Sequence, residues 1–278
     1  MTAIEVKGLR KTYRGHDAVR GIDLSISRGE VFALLGPNGA GKTTTTEILE
    51  GHRRRDGGDV SVLGADPGTA GRAWRARIGI VLQDTDDAAE LTVAEMVRHI
   101  GGLYPDPRPT DEVIELVGLT GKRHSRIRQL SGGQRRGVDV ALGIVGRPEL
   151  LFLDEPTTGF DPEARRLFWD LIRALAAEGT TILLTTHYLD EAEALADRLA
   201  VIAAGRILAE GTPATLGGRG QAGATVSWGQ DGLRRTERVA DPTELIRKLV
   251  AEDADLSTLT VTRPTLEDTY LGLIGANR

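Results

Sequence analysis

The chain has no cysteine among its 278 residues, which excludes structural disulfides and thiolate metal sites. A reducing compartment suits that absence. No stretch approaches the ~20 consecutive apolar residues that span a bilayer, so any membrane channel would have to come from another polypeptide. The opening Met1-Thr2-Ala3-Ile4-Glu5 lacks the basic start and long apolar run of a secretory leader, and the chain is expected to stay where it is made. Excess positive charge is missing too. Lys and Arg number 35 against 40 Asp and Glu, for a formal net charge of −5, and no basic stripe suited to general nucleic-acid binding is present. The tightest basic cluster, Arg53-Arg54-Arg55, runs straight into Asp56 and reads as a solvated face.

What remains is an ordinary globular composition, 40% hydrophobic and 27% charged, long enough to bury a substantial core. Ile4-Glu5-Val6 alternates as a strand does. A second strand spans about 21–27, with Ile22, Leu24 and Ile26 on one face. Val31–Leu35 is wholly apolar, as expected of a parallel strand buried on both faces. Ile78–Leu82, Leu150–Leu153, Thr181–Thr185 and Leu199–Ile202 are further candidates. Helical patterns lie between several of them, and this alternation predicts an α/β fold with a mostly parallel sheet. Between about Asp84 and Pro148 helical patterns dominate, at Val93–Ile100, Asp111–Val117 and Gly132–Val145; this reads as a helical insertion, at about 85–147. Leu216-Gly217-Gly218-Arg219-Gly220 looks like a flexible linker. It divides a first domain at 1–216 from a small α+β appendage at 221–278. In the appendage, strands are expected at Ala224–Trp228 and Leu256–Val261, and helices at Pro242–Ala251 and Leu266–Ile274.

Gly36-Pro37-Asn38-Gly39-Ala40-Gly41-Lys42-Thr43 has the P-loop pattern, and it lies between a buried strand and a helix-compatible run from Lys42 to Glu50. Glycines let successive backbone N–H groups turn inward around a polyanion. A helix N-terminus behind them adds favourable partial charge. Lys42 is placed for the β- and γ-phosphates and the Thr43 hydroxyl for Mg²⁺; Thr44 is grouped with the phosphate-binding residues. The apolar run Leu150–Leu153 ends in Asp154-Glu155. Asp154 can hold Mg²⁺, directly or through water, and Glu155 is a candidate base for an attacking water.

Leu130-Ser131-Gly132-Gly133-Gln134 narrows the choice among P-loop proteins. It resembles the signature of ATP-binding cassette (ABC) ATPases and falls, as it does there, shortly before Asp154. Ser131, Gly132 and Gly133 open a helix, which is a ready anion site. The other motifs of that family follow in order. Gln83 is similar to the Q-loop glutamine, which links metal and water to the helical insertion. Thr158-Gly159-Phe160-Asp161 resembles the D-loop, with Phe160 where Leu is more usual. His187, after Thr185-Thr186, resembles the switch histidine that contacts the γ-phosphate, and Tyr13 the aromatic on which adenine stacks. Gly137 departs from the pattern: relatives more often carry a long polar side chain there.

The resemblance spans about residues 3 to 211. It implies a P-loop NTPase core with an antiparallel β subdomain, Mg²⁺-dependent ATP hydrolysis, and two cassettes packed head to tail. Ser131, Gly132, Gly133, Gln134 and Asp161 of one would then complete the ATP site on the P-loop of the other. It also implies a separately encoded membrane permease, which would hold this chain at the inner face of the cell membrane. No nucleic acid is expected. Arg263-Pro264-Thr265-Leu266-Glu267-Asp268 is similar to the tail of bacterial type-two exporter ATPases for drugs or antibiotics. An importer ATPase is the first alternative. A soluble ABC protein acting on ribosomes or DNA is the second, though such proteins usually have two cassettes or a long coiled coil.

Overall fold

The computed structural model describes residues 1–81, 90–230, 233–252 and 255–276, and the chain divides into two compact units, Met1–Leu208 and Ala209–Arg278.

The first unit opens with two long antiparallel strands, β1 (Thr2–Tyr13) and β2 (His16–Ser27), with β4 (Gly57–Val62) on the other side of β1. Both early strands run further than their alternating segments suggest, because register shifts between Val6 and Leu9 let β1 continue past Gly8. Bulges of this kind add twist without ending a strand. Between β2 and β4 in sequence come β3 (Val31–Leu35) and the helix α1 (Lys42–Leu49).

A six-stranded sheet forms the second layer. It comprises β3, β5 (Ile78–Val81), β6 (Leu150–Asp154), β7 (Thr181–Thr186), β8 (Arg198–Ala203) and β9 (Arg206–Gly211), in the order β5-β6-β7-β3-β8-β9. Pairing is parallel from β5 through β8. Central position explains the all-apolar runs: every residue of Val31–Leu35 is buried. Ile4, Leu9, Ile22 and Ile26 of the antiparallel sheet share one core with Phe32, Phe152 and Leu183 of the parallel one. Phe32 and Phe152 are almost fully enclosed; cutting either back to Ala would cost about 3–5 kcal/mol.

Three helices follow the described part of β5: α3 (Val93–Gly101), α4 (Thr110–Leu116) and α5 (Gly132–Ile144), with the short α2 (Arg72–Arg75) ahead of it. Thr92 caps α3 in a capping box with Glu95, the pattern expected of Thr followed by Glu three residues on. The α5 backbone passes close to β5, since a Cβ added to Gly79 would lie 2.1 Å from Gly143 O. The unit also holds α6 (Pro162–Ala177) and α7 (Leu189–Leu195). Asp161 caps α6 through Ala164 N at 2.8 Å, with Pro162 in the first turn.

The second unit is an antiparallel sheet of β10 (Ala224–Gln230), β11 (Leu233–Val239) and β12 (Asp255–Thr262), ordered β11-β10-β12, with helices α8 (Pro242–Ala251) and α9 (Leu266–Gly275). Val226, Trp228 and Leu249 form its core. The Gly-rich stretch expected as a flexible linker falls in a short 3-10 segment, Leu216–Gln221, kinked at Gly217 and Gly218, whose φ angles are 56° and 81°. Leu216 is fully buried, and the Arg219 guanidinium donates to Pro213 O and Pro264 O at 2.8 and 2.9 Å. A buried anchor and a two-point tether fix a segment whose composition alone reads as loose.

Candidate active site

The loop between β3 and α1 is shaped by close backbone approach. A Cβ on Gly36 would lie 2.3 Å from Ile202 O, and one on Gly41 2.5 Å from Ala18 O. Gly41 also has φ of 107°, a region side chains disfavour. Gly41 at the cap of α1 has no side chain to offer, and the first turn holds no acid, so the helix N-terminus keeps its amide partial charge for an anion. Lys42 is buried, with its ammonium donating to Gly36 O at 2.7 Å. Burial lowers its pKa, and the nearby Glu155 and Asp154 charges oppose that shift.

The C-terminal end of β6 lies beside this loop. Thr185 on β7 donates its hydroxyl hydrogen bond to Asp154 Oδ1, and the Glu155 N–H donates to Thr185 O at 3.1 Å and Thr185 Oγ1 at 3.2 Å. These bonds hold Glu155 at φ of 44°, a conformation that costs a non-glycine residue about 1–3 kcal/mol. The Glu155 carboxylate thereby comes to 3.8 Å from Lys42 Nζ and 3.3 Å from His187 Nδ1. His187 follows β7 and packs against Tyr188, ring centroids 4.1 Å apart.

A cavity of about 510 Å³ is lined by Tyr13, His16, Ala18, the loop from Pro37 through Thr44 (Asn38, Gly39, Ala40, Gly41, Lys42 and Thr43 between them), Asp154 and Glu155. Arg53 and Lys11 flank the Tyr13 ring at 5.2 and 5.4 Å from its centroid. Glu50, just after α1, is almost fully buried. Burial first, then the Asp154 and Glu47 charges, push its pKa up to about 7. The oxygen donors at the cavity, the Thr43 hydroxyl and Asp154 carboxylate, are the hard ligands magnesium selects, and one or two protein groups suffice when phosphates supply the rest. The residues present therefore fit a magnesium–nucleotide ligand.

Ser131, Gly133, Gln134 and Asp161 line a different cavity, of about 350 Å³, together with Gly137 and Phe160. Ser131 caps α5 in a reciprocal box: Gln134 N donates to Ser131 Oγ at 3.3 Å, and Ser131 N to Gln134 Oε1 at 3.1 Å. Gly132 starts that helix. Phe160 stacks edge-on against Phe168, 5.9 Å between centroids. The predicted site residues thus form two sets within the chain. Gln83 lies outside the described residues.

Two residues of this region escape a motif reading. Thr185 orients Asp154 and Glu155, and its signal is a pair of hydroxyls, Thr185-Thr186, closing a buried strand. Arg136, buried on α5, donates to Pro156 O at 3.0 Å and Asp154 O at 2.9 Å. A buried Arg on a helix announces a partner but not which one.

Residues 19–158, half of the chain, match the ABC transporter family. The daunorubicin resistance ATP-binding protein DrrA3 of Streptomyces coeruleorubidus is 38% identical, over 100% of this chain and 97% of its own length. The Nod factor export ATP-binding protein I of Rhizobium johnstonii is 45% identical over 77% of this chain and 70% of its own. Among solved structures, a dimeric ATP-binding cassette in a post-hydrolysis state, bound to ADP and Pi, superposes with a TM-score of 0.69 at 23% identity, covering 75% of this chain and 98% of that one. With its loop, its strand-end acids and a full-length relative all in agreement, the chain belongs to the ABC transporter family.

Proposed function

We propose that the chain is the Mg²⁺-dependent ATP-hydrolysing subunit of an exporter, driving a separate membrane permease. The observation that carries the chemistry is the convergence of Lys42, Asp154, Glu155 and His187 on one glycine-shaped loop. Lys42 and the amides that open α1 bind the phosphates. Thr43 and Asp154 hold magnesium, which when bound offsets the phosphate charge. Glu155 orients a water and accepts its proton, with His187 steadying the same carboxylate and facing the γ-phosphate. Tyr13 offers its ring to adenine. Gln83 is assigned to metal and water by family resemblance alone.

Export of a drug-like or similar hydrophobic compound is supported by the names of the relatives, a daunorubicin resistance protein and a Nod factor export protein. A separate membrane partner agrees with the described residues, among which no helix is long and apolar enough to cross a membrane. Pairing of two cassettes accounts for the division of the site residues into two sets. The Ser131–Gln134 and Asp161 set of one chain would close over the P-loop set of another. A cassette of the same fold is dimeric in its ADP- and Pi-bound form.

Phosphate release from ATP, with and without magnesium, tests the reaction. Lys42→Ala should raise the nucleotide Kd by about 10- to 100-fold, the scale of a lost charge-assisted contact. Wild-type affinity in that variant would overturn the assignment of the loop. Purification from membranes should bring down an integral-membrane protein; capture of ribosomes or DNA instead would overturn the transport reading.

A further inference from the structure

Glu191 is the second acid of α7, four residues beyond His187. Its side chain is 1% exposed, and neither carboxylate oxygen has a partner in hydrogen-bonding geometry among the described residues. Leaving a carboxylate in that condition is costly, so its surroundings carry meaning. The groups turned toward it are the Thr186 and Thr157 hydroxyls and the Trp169 indole, with the Arg165 guanidinium acting through its charge. Thr157 Oγ1 and Trp169 Nε1 are themselves buried without a partner in hydrogen-bonding geometry. Two unpartnered donors and two unpartnered acceptors thus lie in one buried cluster.

The cluster's neighbours in sequence give it a role. Thr186 adjoins His187 and accepts the Tyr188 N–H at 3.0 Å. Thr157 lies two residues after Glu155, and its carbonyl accepts the Phe160 N–H at 3.1 Å. Trp169 stands on α6, the helix capped by Asp161. Glu191 therefore sits where the segments bearing His187, Glu155 and Asp161 meet. It lines neither of the two cavities described above, so it acts through other residues.

We propose that Glu191 is a positioning residue for ATP hydrolysis, its buried carboxylate drawing Thr157, Trp169 and Thr186 together and so setting His187 against Glu155. The proposal rests on the ATPase reading above. An acceptor at both oxygens is what the site demands: glutamine has the same shape but turns an NH₂ group toward donors, and the Trp169 N–H cannot accept.

Purified wild type, Glu191→Gln, Glu191→Asp and Thr157→Val are compared for kcat, KM, nucleotide Kd and melting temperature. Glu191→Gln should lower kcat by about 10-fold or more while KM and Kd stay within about threefold. Its melting temperature should stay within a few degrees of wild type, so that the loss of kcat is not a loss of folded protein. Glu191→Asp should recover part of kcat. Thr157→Val should lower kcat in the same direction and add little in combination with Glu191→Gln, as expected for groups in one network. A kcat within about twofold of wild type, or losses that are additive, would overturn the proposal while leaving an active wild type and the ATPase reading intact. A wild-type protein that neither binds nor hydrolyses ATP would overturn that reading, and this proposal with it.

Discussion

His187 Nδ1 and Glu155 Oε1 lie 3.3 Å apart, and the same carboxylate oxygen lies 3.8 Å from Lys42 Nζ. One oxygen atom is thus poised between the histidine after β7 and the phosphate-loop ammonium. The backbone contributes as much as the side chain: with φ of 44° at Glu155, the chain turns sharply at the end of β6.

Glu155→Gln preserves shape but exchanges one acceptor oxygen for an NH₂ donor and cannot take a proton at neutral pH. ATP affinity should stay near wild type while turnover falls by ~100-fold or more, the scale of a lost general base. An ATP-bound dimer should accumulate, visible as an earlier peak in size-exclusion chromatography. Undiminished phosphate release would reject Glu155 as the base.

Lys42 and Ser131 line separate cavities of one chain, and the shared-site reading makes them partners across a dimer. Lys42→Ala and Ser131→Ala proteins should each be nearly inactive alone. Mixed, a share of the heterodimers contains one undamaged site and one doubly damaged site. Phosphate release by the mixture should exceed that of either protein by itself. Heterodimers that form yet gain no activity would refute a site that is both shared and able to turn over alone.

Glu50 gives a pH signature. Its carboxyl titrates at about 7 when folded against 4.5 as the ordinary value, chiefly through burial. Below pH 4.5 it is protonated whether folded or not, so stability bears no penalty there. Between 4.5 and 7 the unfolded state ionises first, and stability falls as pH rises, by on the order of 3 kcal/mol. Above 7 that loss is complete. Glu50→Gln should remove this portion of the slope and gain stability relative to wild type at about pH 8. Urea midpoints in EDTA without nucleotide measure it, and parallel pH profiles for the two proteins would refute the assignment.

The approach of α5 to β5 leaves no room at Gly79, where a Cβ would sit 2.1 Å from Gly143 O. Gly79→Ala should cost at least about 1–3 kcal/mol, the usual range for overpacking a core. Thermal unfolding reads the loss. An unchanged melting temperature would mean that α5 is not held against β5 in solution.

Much of this was legible in advance where burial is two-sided. β3, β6 and β8 are largely apolar because neighbouring strands and layers enclose them, and the threonines of β7 are buried beside its apolar residues. The capped starts of α3 and α5, at Thr92 and Ser131, stand out for the same local reason. Strands with open faces left no such trace. β11 reads Leu-Arg-Arg-Thr-Glu-Arg-Val and is exposed almost throughout, while β4 carries two glycines and an aspartate. Both are specified by pairing with a neighbour, which a window of sequence does not contain. α6 is implied only by the alternation of strand and helix, although Asp161-Pro162 marks its start. At the site, the phosphate loop, Asp154, Glu155 and His187 could be named from motif order. Thr185, Arg136 and Glu191 could not, because their partners lie on other elements.

The bond pair from Arg136 to the carbonyls of Asp154 and Pro156 has a mechanical consequence. Backbone oxygens belong to the chain's frame, so the tether holds the strand end itself and is indifferent to which side chains that end carries. A pull on the helix that begins at Ser131 is therefore delivered to the hinge on which Glu155 stands. Force arriving from outside the cassette would reach the carboxylate through a rigid strut, with little slack to absorb it.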